Sequence, residues 1–268
     1  MSEARRVAVY LLALACSFYC MSGCTVAKVT RAYLLPTSSF YKCTEDLRIE
    51  CQPGSEKLAQ VILPAIKQAQ RTVEEGQYCV FTKPMIIRTY ASREDFSRFS
   101  GSVGYAEGAV SFGVLHLSPK LLATPERIPG IVTHELSHLN LALIMGTWSW
   151  ASIPGWFHEG LATWVSAGGG AETVTNEEAL KSIKAGHSFS PEDYGSPLAP
   201  KSAASYDLKP HMYYRQAAIF VEYLHNSNPA AFKQLLLSIE HGQSFSQGLR
   251  GAYGEDVDTL WRGFLVKI

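Results

Sequence analysis

The sequence predicts an α+β fold in which the strands precede most of the helices. Strand-like segments alternate with helical patterns up to about residue 124, and apolar residues recur mainly at helical spacing from Pro125 onward. Of 268 residues, 47% are hydrophobic and 18% are charged, which suits a full core and excludes extensive disorder. We expect one domain over residues 40–268, with an α+β part at 40–124 and a mostly helical part at 125–268. A small domain packed on a larger one would also fit this length.

Residues 1–23 have the features of a bacterial lipoprotein signal peptide. Arg5 and Arg6 precede an apolar run of 14 residues, Val7–Cys20, which is too short to span a bilayer comfortably but suits a secretory signal. Small residues then precede Cys24, as in a lipobox, although Met21 stands where that motif prefers Leu. We therefore expect cleavage before Cys24 and lipidation of its thiol.

The chain after Cys24 is expected to begin with a tether over residues 24–39. Thr25, and not Asp, follows the cysteine. In a Gram-negative cell this sorting signal resembles that of lipoproteins on the periplasmic side of the outer membrane. Two alternatives remain for the N-terminus. One is ordinary signal-peptidase cleavage near Thr25-Val26-Ala27, and the other is an uncleaved anchor.

Export leaves three cysteines in the folded part of the chain. Cys43, Cys51 and Cys79 are an odd number, so one disulfide and one free thiol are the simplest outcome in an oxidising compartment. Cys43 and Cys51 flank a short segment and are the favoured pair, although Cys79 could pair with either. None of them lies in a C-x-x-C pair, which argues against a cysteine-based zinc site.

The first half of the domain is predicted to contain one helix and two strands. Ser55 can cap a helix whose apolar positions run to Val73, with Pro64 implying a kink or a later start. Met85–Tyr90 is a strand by its β-branched and aromatic content. Ala109–Ser118 is a second strand, ended by Pro119.

The second half is predicted to be helical with two interruptions. Ala167–Ala171, which contains three consecutive glycines, is expected to be a flexible break, and the Ser- and Pro-rich stretch 188–210 is expected to be a long loop of functional importance. Three C-terminal helices are expected at Met212–His225, Pro229–His241 and Asp256–Lys267.

An H-E-x-x-H motif carries the clearest chemical signal. His134 and His138 lie one helical turn apart on the same face, so both imidazoles can reach one metal ion. Glu135 is rotated about 100° from His134, which takes it out of the metal's coordination shell but leaves it able to contact a metal-bound water. Leu and Val residues lie on the opposite face of this helix and predict that it packs against the core.

A second amphipathic helix is expected to supply the third metal ligand. Pro154-Gly155 starts it, and Phe157, Leu161 and Trp164 cluster opposite Glu159. Two His and one Glu are a known catalytic zinc set that leaves one position open. His158 is the alternative ligand, but it points about 100° away from Glu159.

These two motifs resemble those of the gluzincin clan of zinc metallopeptidases, which includes thermolysin and aminopeptidase N. The likeness to small bacterial peptidase-MA-like proteins extends from about Ala109 to the C-terminus and includes Tyr214-Arg215-Gln216-Ala217, similar to a Y-x-Q-A pattern. It implies a zincin-like fold, with a small mixed sheet, an active-site helix and a helical C-terminal lobe. The resemblance also implies that Ala109–Leu117 is an edge strand along the cleft, to which a substrate backbone could add.

The resemblance implies one further catalytic residue. Gluzincins use a Tyr or His to donate a hydrogen bond to the oxyanion, and Tyr214 matches by its context, with Tyr213 and His211 as neighbouring alternatives. Aminopeptidases of this clan carry a G-x-M-x-N segment that binds the free amine. The corresponding stretch, residues 104–108, lacks both Met and Asn, so Glu107 is interpreted as a loop carboxylate and exopeptidase action is not supported.

The expected function is that of a zinc-dependent peptidase at the bacterial cell envelope, with one Zn²⁺ per chain and a peptide or protein substrate. The 24 basic and 24 acidic residues balance, which predicts no nucleic-acid partner. The alternative is a catalytically silent zincin-fold lipoprotein that acts as a binding or assembly module. Retention of Glu135, which a pure binder does not need, favours the enzyme.

Overall fold

The computed structural model describes Lys28 and residues 30–196 and 199–268. The predicted signal peptide, residues 1–23, and the predicted lipidation site, Cys24, lie outside the described residues. Of the predicted tether over residues 24–39, Lys28 and residues 30–39 are described. No helix within these limits has the length and hydropathy needed to cross a membrane.

A small mixed sheet occupies the N-terminal half of the described chain. Its strands are β1 (Tyr41–Lys42), β2 (Ile49–Cys51), β3 (Ile86–Thr89), β4 (Gly108–Ser111) and β5 (Val114–Leu117), in the order β1-β2-β3-β5-β4. The three inner strands are parallel, and β1 and β4 pair antiparallel to their neighbours. This order places β4 at one edge of the sheet.

The predicted strand at Ala109–Ser118 is in fact a β-hairpin. Phe112 and Gly113 have φ values of 48° and 73° and form a two-residue turn between β4 and β5. Only Gly108–Ser111 therefore lies at the edge, and Val114–Leu117 pairs on both sides within the sheet. Sequence reasoning missed the turn because Phe112 is bulky and apolar, a residue type that rarely adopts a left-handed conformation.

A disulfide joins Cys43 to Cys51, next to the pairing of β1 with β2, with their Cα atoms 5.9 Å apart. Cys51 is fully buried. Cys79 is the free cysteine among the described residues. Burial raises the pKa of its thiol to about 11, and the nearby Glu240 adds to this effect, so the thiol stays protonated at neutral pH.

Ten α-helices follow or interrupt the strands in the described chain. They are α1 (Glu56–Gln77), α2 (Arg93–Ser100), α3 (Ile128–Met145), α4 (Thr147–Ala151), α5 (Gly155–Val165), α6 (Asn176–Lys184), α7 (Pro210–Ser227), α8 (Pro229–Glu240), α9 (Phe245–Tyr253) and α10 (Val257–Lys267). The α+β architecture, with a helical C-terminal part, is the one that the sequence predicts.

Helix α1 has the apolar face that the sequence predicts but not the predicted N-terminal cap. Helix α1 runs through Pro64, whose ring lies on the exposed face. Of the predicted apolar positions it buries Leu58, Ile62, Ala69 and Val73 and leaves Ala65 half-buried. Ser55 precedes the helix as predicted, but its hydroxyl caps no helical N–H group. It bonds instead to the carbonyls of Gln52 and Thr89, and thereby ties the start of α1 to β3.

The core lies between the sheet and the helices that carry the candidate site. Helix α3 packs against α1 on one side and α5 on the other, and α5 packs along α7. Trp156, fully buried at the start of α5, contacts a cluster of aromatic rings from later segments. These rings belong to Phe189, Phe220 and Phe245. This cluster fixes α5 against α7.

Candidate metal centre

Helix α3 carries His134 and His138 on one face and packs its other face against the core. Val132, Leu136 and Leu139 are fully buried, as the helical pattern predicted. Both imidazoles are also buried, so neither histidine lies on a solvated surface. The hydrophobic side of the helix thus fixes the direction in which the two imidazoles point.

Helix α5 brings Glu159 to the same place. Phe157 and Leu161 are fully buried on the opposite side of this helix. His158, the alternative ligand, is buried elsewhere: its Nε2 lies 2.8 Å from the carbonyl oxygen of Trp150, to which it donates. Burial, with a contribution from His138, lowers the pKa of His158 to about 4, so this imidazole is neutral. It does not join the metal-binding group.

The three predicted ligands converge. Nε2 of His134 lies 3.1 Å from Nε2 of His138, and Glu159 Oε2 lies 3.3 and 3.5 Å from these two nitrogens. Ligand atoms about 2.0–2.1 Å from a tetrahedral zinc ion are about 3.3 Å apart. Among the described residues, Glu159 Oε2 is buried without a hydrogen-bond partner of good geometry. The group could therefore hold a metal ion.

The carboxyl group of Glu159 is held in its charged form by the two imidazoles. Burial alone would raise the pKa of Glu159, but the imidazoles of His138 and His134 outweigh it and hold that pKa well below its usual range. The carboxylate is therefore ionised. The group therefore offers two nitrogen donors and one oxygen donor to a cation, and Zn²⁺ is an ion that takes such donors.

The tautomer of His134 is set by a backbone carbonyl. Its Nδ1 lies 2.8 Å from the carbonyl oxygen of Gly169, an acceptor, so this nitrogen carries the proton. Nε2, which faces Glu159, is then the nitrogen of this ring that could bind a metal. A histidine ligand whose other nitrogen donates to a carbonyl is the usual arrangement in protein metal sites.

The carbonyl belongs to residues 167–171, which we call the glycine loop. A Cβ atom on Gly169 would lie 2.3 Å from the Gly130 carbonyl oxygen, and one on Gly170 would lie 2.8 Å from the His134 ring. The loop therefore packs directly on α3, which the sequence-based expectation of a flexible break did not anticipate. Consecutive glycines permit such close approach as readily as they permit mobility, so this possibility was open to sequence reasoning.

Glu135 lies between the metal-binding group and the edge of the sheet. A Cβ atom on Gly108, the first residue of β4, would come within 2.5–2.7 Å of the Glu135 side chain. The absence of a side chain at this position thus lets the edge strand contact the carboxyl directly. Burial raises the pKa of Glu135, an effect opposed by the two histidines.

The three candidates for the oxyanion donor occupy different environments. The Tyr214 ring lies 6.0 Å from the His134 ring, centroid to centroid, and lines the cleft. Tyr213 is buried and packs on Phe189. His211 also lines the cleft, but its Nδ1 accepts a hydrogen bond from the Thr173 amide at 3.3 Å. Tyr214 is therefore the candidate whose ring contacts the metal-binding group.

Glu107 is not a free carboxylate. It forms an ion pair of 2.7 Å with Arg127, and Lys120 lies 3.5 Å away. Arg127 also bonds to Glu172 at 2.7 Å, on the side of the glycine loop. The interpretation of Glu107 as a loop carboxylate agrees with these contacts, because two cations already neutralise its charge.

These residues share one cleft of about 1650 Å³. The edge strand β4 forms one wall, and the metal-binding group, Glu135 and Tyr214 lie inside it. Two further parts of the wall come from the segment after α4 and from the start of α7.

No protein-family model matches the chain, and no curated protein matches it.

Proposed function

We propose that the chain is a zinc-dependent peptidase of the gluzincin type, with a zincin-like fold. The observation that carries the proposal is the spacing of 3.1–3.5 Å among the donor atoms of His134, His138 and Glu159. It agrees with the ligand spacing expected around tetrahedral zinc, about 3.3 Å. The Glu135 carboxyl, on the same helix, lies in the same cleft.

The metal-binding group, Glu135 and Tyr214 each have a part in the proposed amide hydrolysis. Zinc held by two imidazoles and a carboxylate supplies Lewis acidity and lowers the pKa of water to about 7. In this proposal Glu135 accepts the proton of the attacking water and passes it to the leaving amine. In this proposal the Tyr214 hydroxyl donates a hydrogen bond to the carbonyl oxygen as negative charge grows on it.

The substrate class proposed is a peptide or protein segment in an extended conformation. Strand β4 pairs with β5 on one side only, so its other edge offers backbone donors and acceptors to a further strand. The contact of Gly108 with Glu135 sets the distance between such a strand and the proposed base. A peptide added there would run along the cleft past the metal-binding group.

The proposed location is the cell envelope, with the chain held by a lipid on Cys24. The disulfide between Cys43 and Cys51 supports an oxidising compartment. Metabolic labelling with a fatty-acid probe should tag the native protein but not Cys24→Ser. A mature N-terminus at Lys28 without lipid mass would contradict the anchor and leave the peptidase proposal untouched.

The peptidase is tested by digesting a mixed peptide library with the native protein and with Glu135→Gln. The native protein should generate new peptide termini, and Glu135→Gln should generate none while keeping its zinc and its fold. Glu126→Gln, which changes an exposed carboxyl just before α3, is the matched control and should cleave normally. Equal cleavage by Glu135→Gln would refute the mechanism. Zinc binding without cleavage by the native protein would favour the binding-module alternative.

A further inference from the structure

The glycine loop is held from outside by one arginine. Arg215, on α7, donates from Nε to the carbonyl of Val174 at 2.9 Å and from Nη2 to the carbonyl of Ala171 at 3.0 Å. The same Nη2 lies 3.4 Å from the carbonyl oxygen of Gly168. One guanidinium thus binds three backbone carbonyls within and just after the loop.

The loop and the guanidinium fit each other closely. A Cβ atom on Gly168 would lie 2.7 Å from Arg215 Nη2, so the guanidinium fills the space that a side chain would need. The next residue, Gly169, directs its carbonyl to His134 Nδ1 at 2.8 Å. Arg215 therefore acts one residue away from the carbonyl that sets the tautomer of a proposed metal ligand.

We propose that Arg215 is a positioning residue of the metal centre. By fixing the carbonyls of the glycine loop, it holds the Gly169 oxygen in line with His134 Nδ1 and so sets the orientation of the imidazole. The proposal rests on the proposed function in that His134 must be a metal ligand. It does not require that the centre be catalytic.

The geometry calls for arginine in particular. A planar guanidinium presents several N–H groups in a rigid fork, whereas a lysine ammonium is a compact charge on a flexible stem. Arg215 also follows Tyr214 directly, and consecutive residues of a helix point about 100° apart. Helix α7 can therefore place Tyr214 in the cleft and Arg215 on the loop at the same time.

A merely structural arginine would affect the stability of the fold but not the geometry of the metal site. The two roles are separated by measuring zinc affinity, by competition with a chelator, and the visible spectrum of the Co²⁺-substituted protein. The variants are Arg215→Gln and Arg215→Lys. Arg250→Gln, which changes an exposed arginine on α9, is the matched control.

We expect Arg215→Gln to weaken zinc binding about 10- to 100-fold, as loss of an outer-shell partner typically does, and to change the Co²⁺ spectrum. Arg215→Lys should have a zinc affinity between those of the native protein and Arg215→Gln. It replaces Arg215→Gln in the test if that variant does not fold. Arg250→Gln should match the native protein in both measurements. Folded Arg215 variants with native zinc affinity and a native Co²⁺ spectrum would overturn the inference. Failure of the native protein itself to bind zinc would overturn the proposed function as well, so the two failures are distinct.

Discussion

At the scale of single residues, His134 is constrained from three sides. Its Nε2 faces Glu159, and its Nδ1 faces the Gly169 carbonyl. The backbone of Gly170 packs directly against the ring. Sequence reasoning identified the histidine from its spacing to His138, because that spacing depends only on helix geometry. It could not identify Gly169, because the carbonyl of a residue 35 positions away is brought to the ring by tertiary packing alone.

Gly170→Ala should weaken zinc binding by about 10- to 100-fold, the usual cost of disturbing an outer-shell contact. The added methyl would overlap the His134 ring, at 2.8 Å, and push it out of line with the other ligands. Gly186→Ala is a matched control, because Gly186 has a similar φ of 82° and open space around it. Both variants carry the same backbone strain, so equal zinc affinities measured by chelator competition would contradict the steric account.

Tyr214→Phe should lower kcat by about 10²- to 10³-fold, since that is the usual cost of removing one oxyanion donor. The phenyl ring keeps its packing beside His134, so zinc content and Tm should stay near native values. Tyr213→Phe is the control and should turn over normally, because Tyr213 is buried among aromatic rings. The measurement is steady-state hydrolysis of a peptide identified from the library. Native turnover by Tyr214→Phe would exclude this hydroxyl from catalysis.

At the scale of elements, the helices follow the sequence more closely than the strands do. Helices α3 and α5 were predictable because each has a continuous apolar face and a proline near its start. The hairpin of β4 and β5 was not predictable, because the apolar pattern continues through the turn at Phe112. The short helix α9, at Phe245–Tyr253, was not among the helices that the apolar spacing predicted, since it spans only 9 residues.

Glu240, the last residue of helix α8, lowers the stability of the protein when its carboxyl is ionised. Burial raises the pKa of Glu240 to about 7 from an ordinary 4.5, although Cys79 and His241 partly oppose the shift. An ionised carboxyl is also unfavourable at a helix C-terminus. Because the folded-state pKa of Glu240 exceeds the unfolded one, the contribution of this carboxyl to stability is fully present below pH 4.5 and is lost as the pH rises through about 7.

Glu240→Gln should therefore stabilise the protein at pH 8 and have little effect at pH 5. After allowance for solvent screening we expect about 1 kcal/mol, or about 2 °C in Tm, at the higher pH. Thermal melts at the two pH values measure it. Glu222→Gln, at an exposed position on α7, should change neither melt. The same Tm difference for Glu240→Gln at both pH values would show that the carboxyl does not titrate as described.

At the scale of the whole molecule, the cleft arises where the sheet edge meets the helical part. The sequence predicted both parts and three metal ligands from two motifs, yet not the shape of the space between them. The long stretch 188–210 illustrates the limit. Phe189 packs into the core, and Trp156 Nε1 donates to the Pro191 carbonyl at 3.1 Å, whereas the end of the stretch lines the cleft. Composition marked this stretch as a loop but could not assign its two ends to the core and the cleft.

The central claim is that the group of His134, His138 and Glu159 holds the zinc that hydrolysis requires. The most direct test is to remove metal from the purified protein with a chelator and to restore zinc stepwise while peptide hydrolysis is measured. Activity should return in proportion to added zinc and reach its plateau at about one equivalent per chain. Glu159→Ala should recover no activity under the same titration, whereas His158→Ala should reach a plateau at the same equivalent. Full hydrolysis by the metal-free native protein, or by Glu159→Ala, would contradict the account.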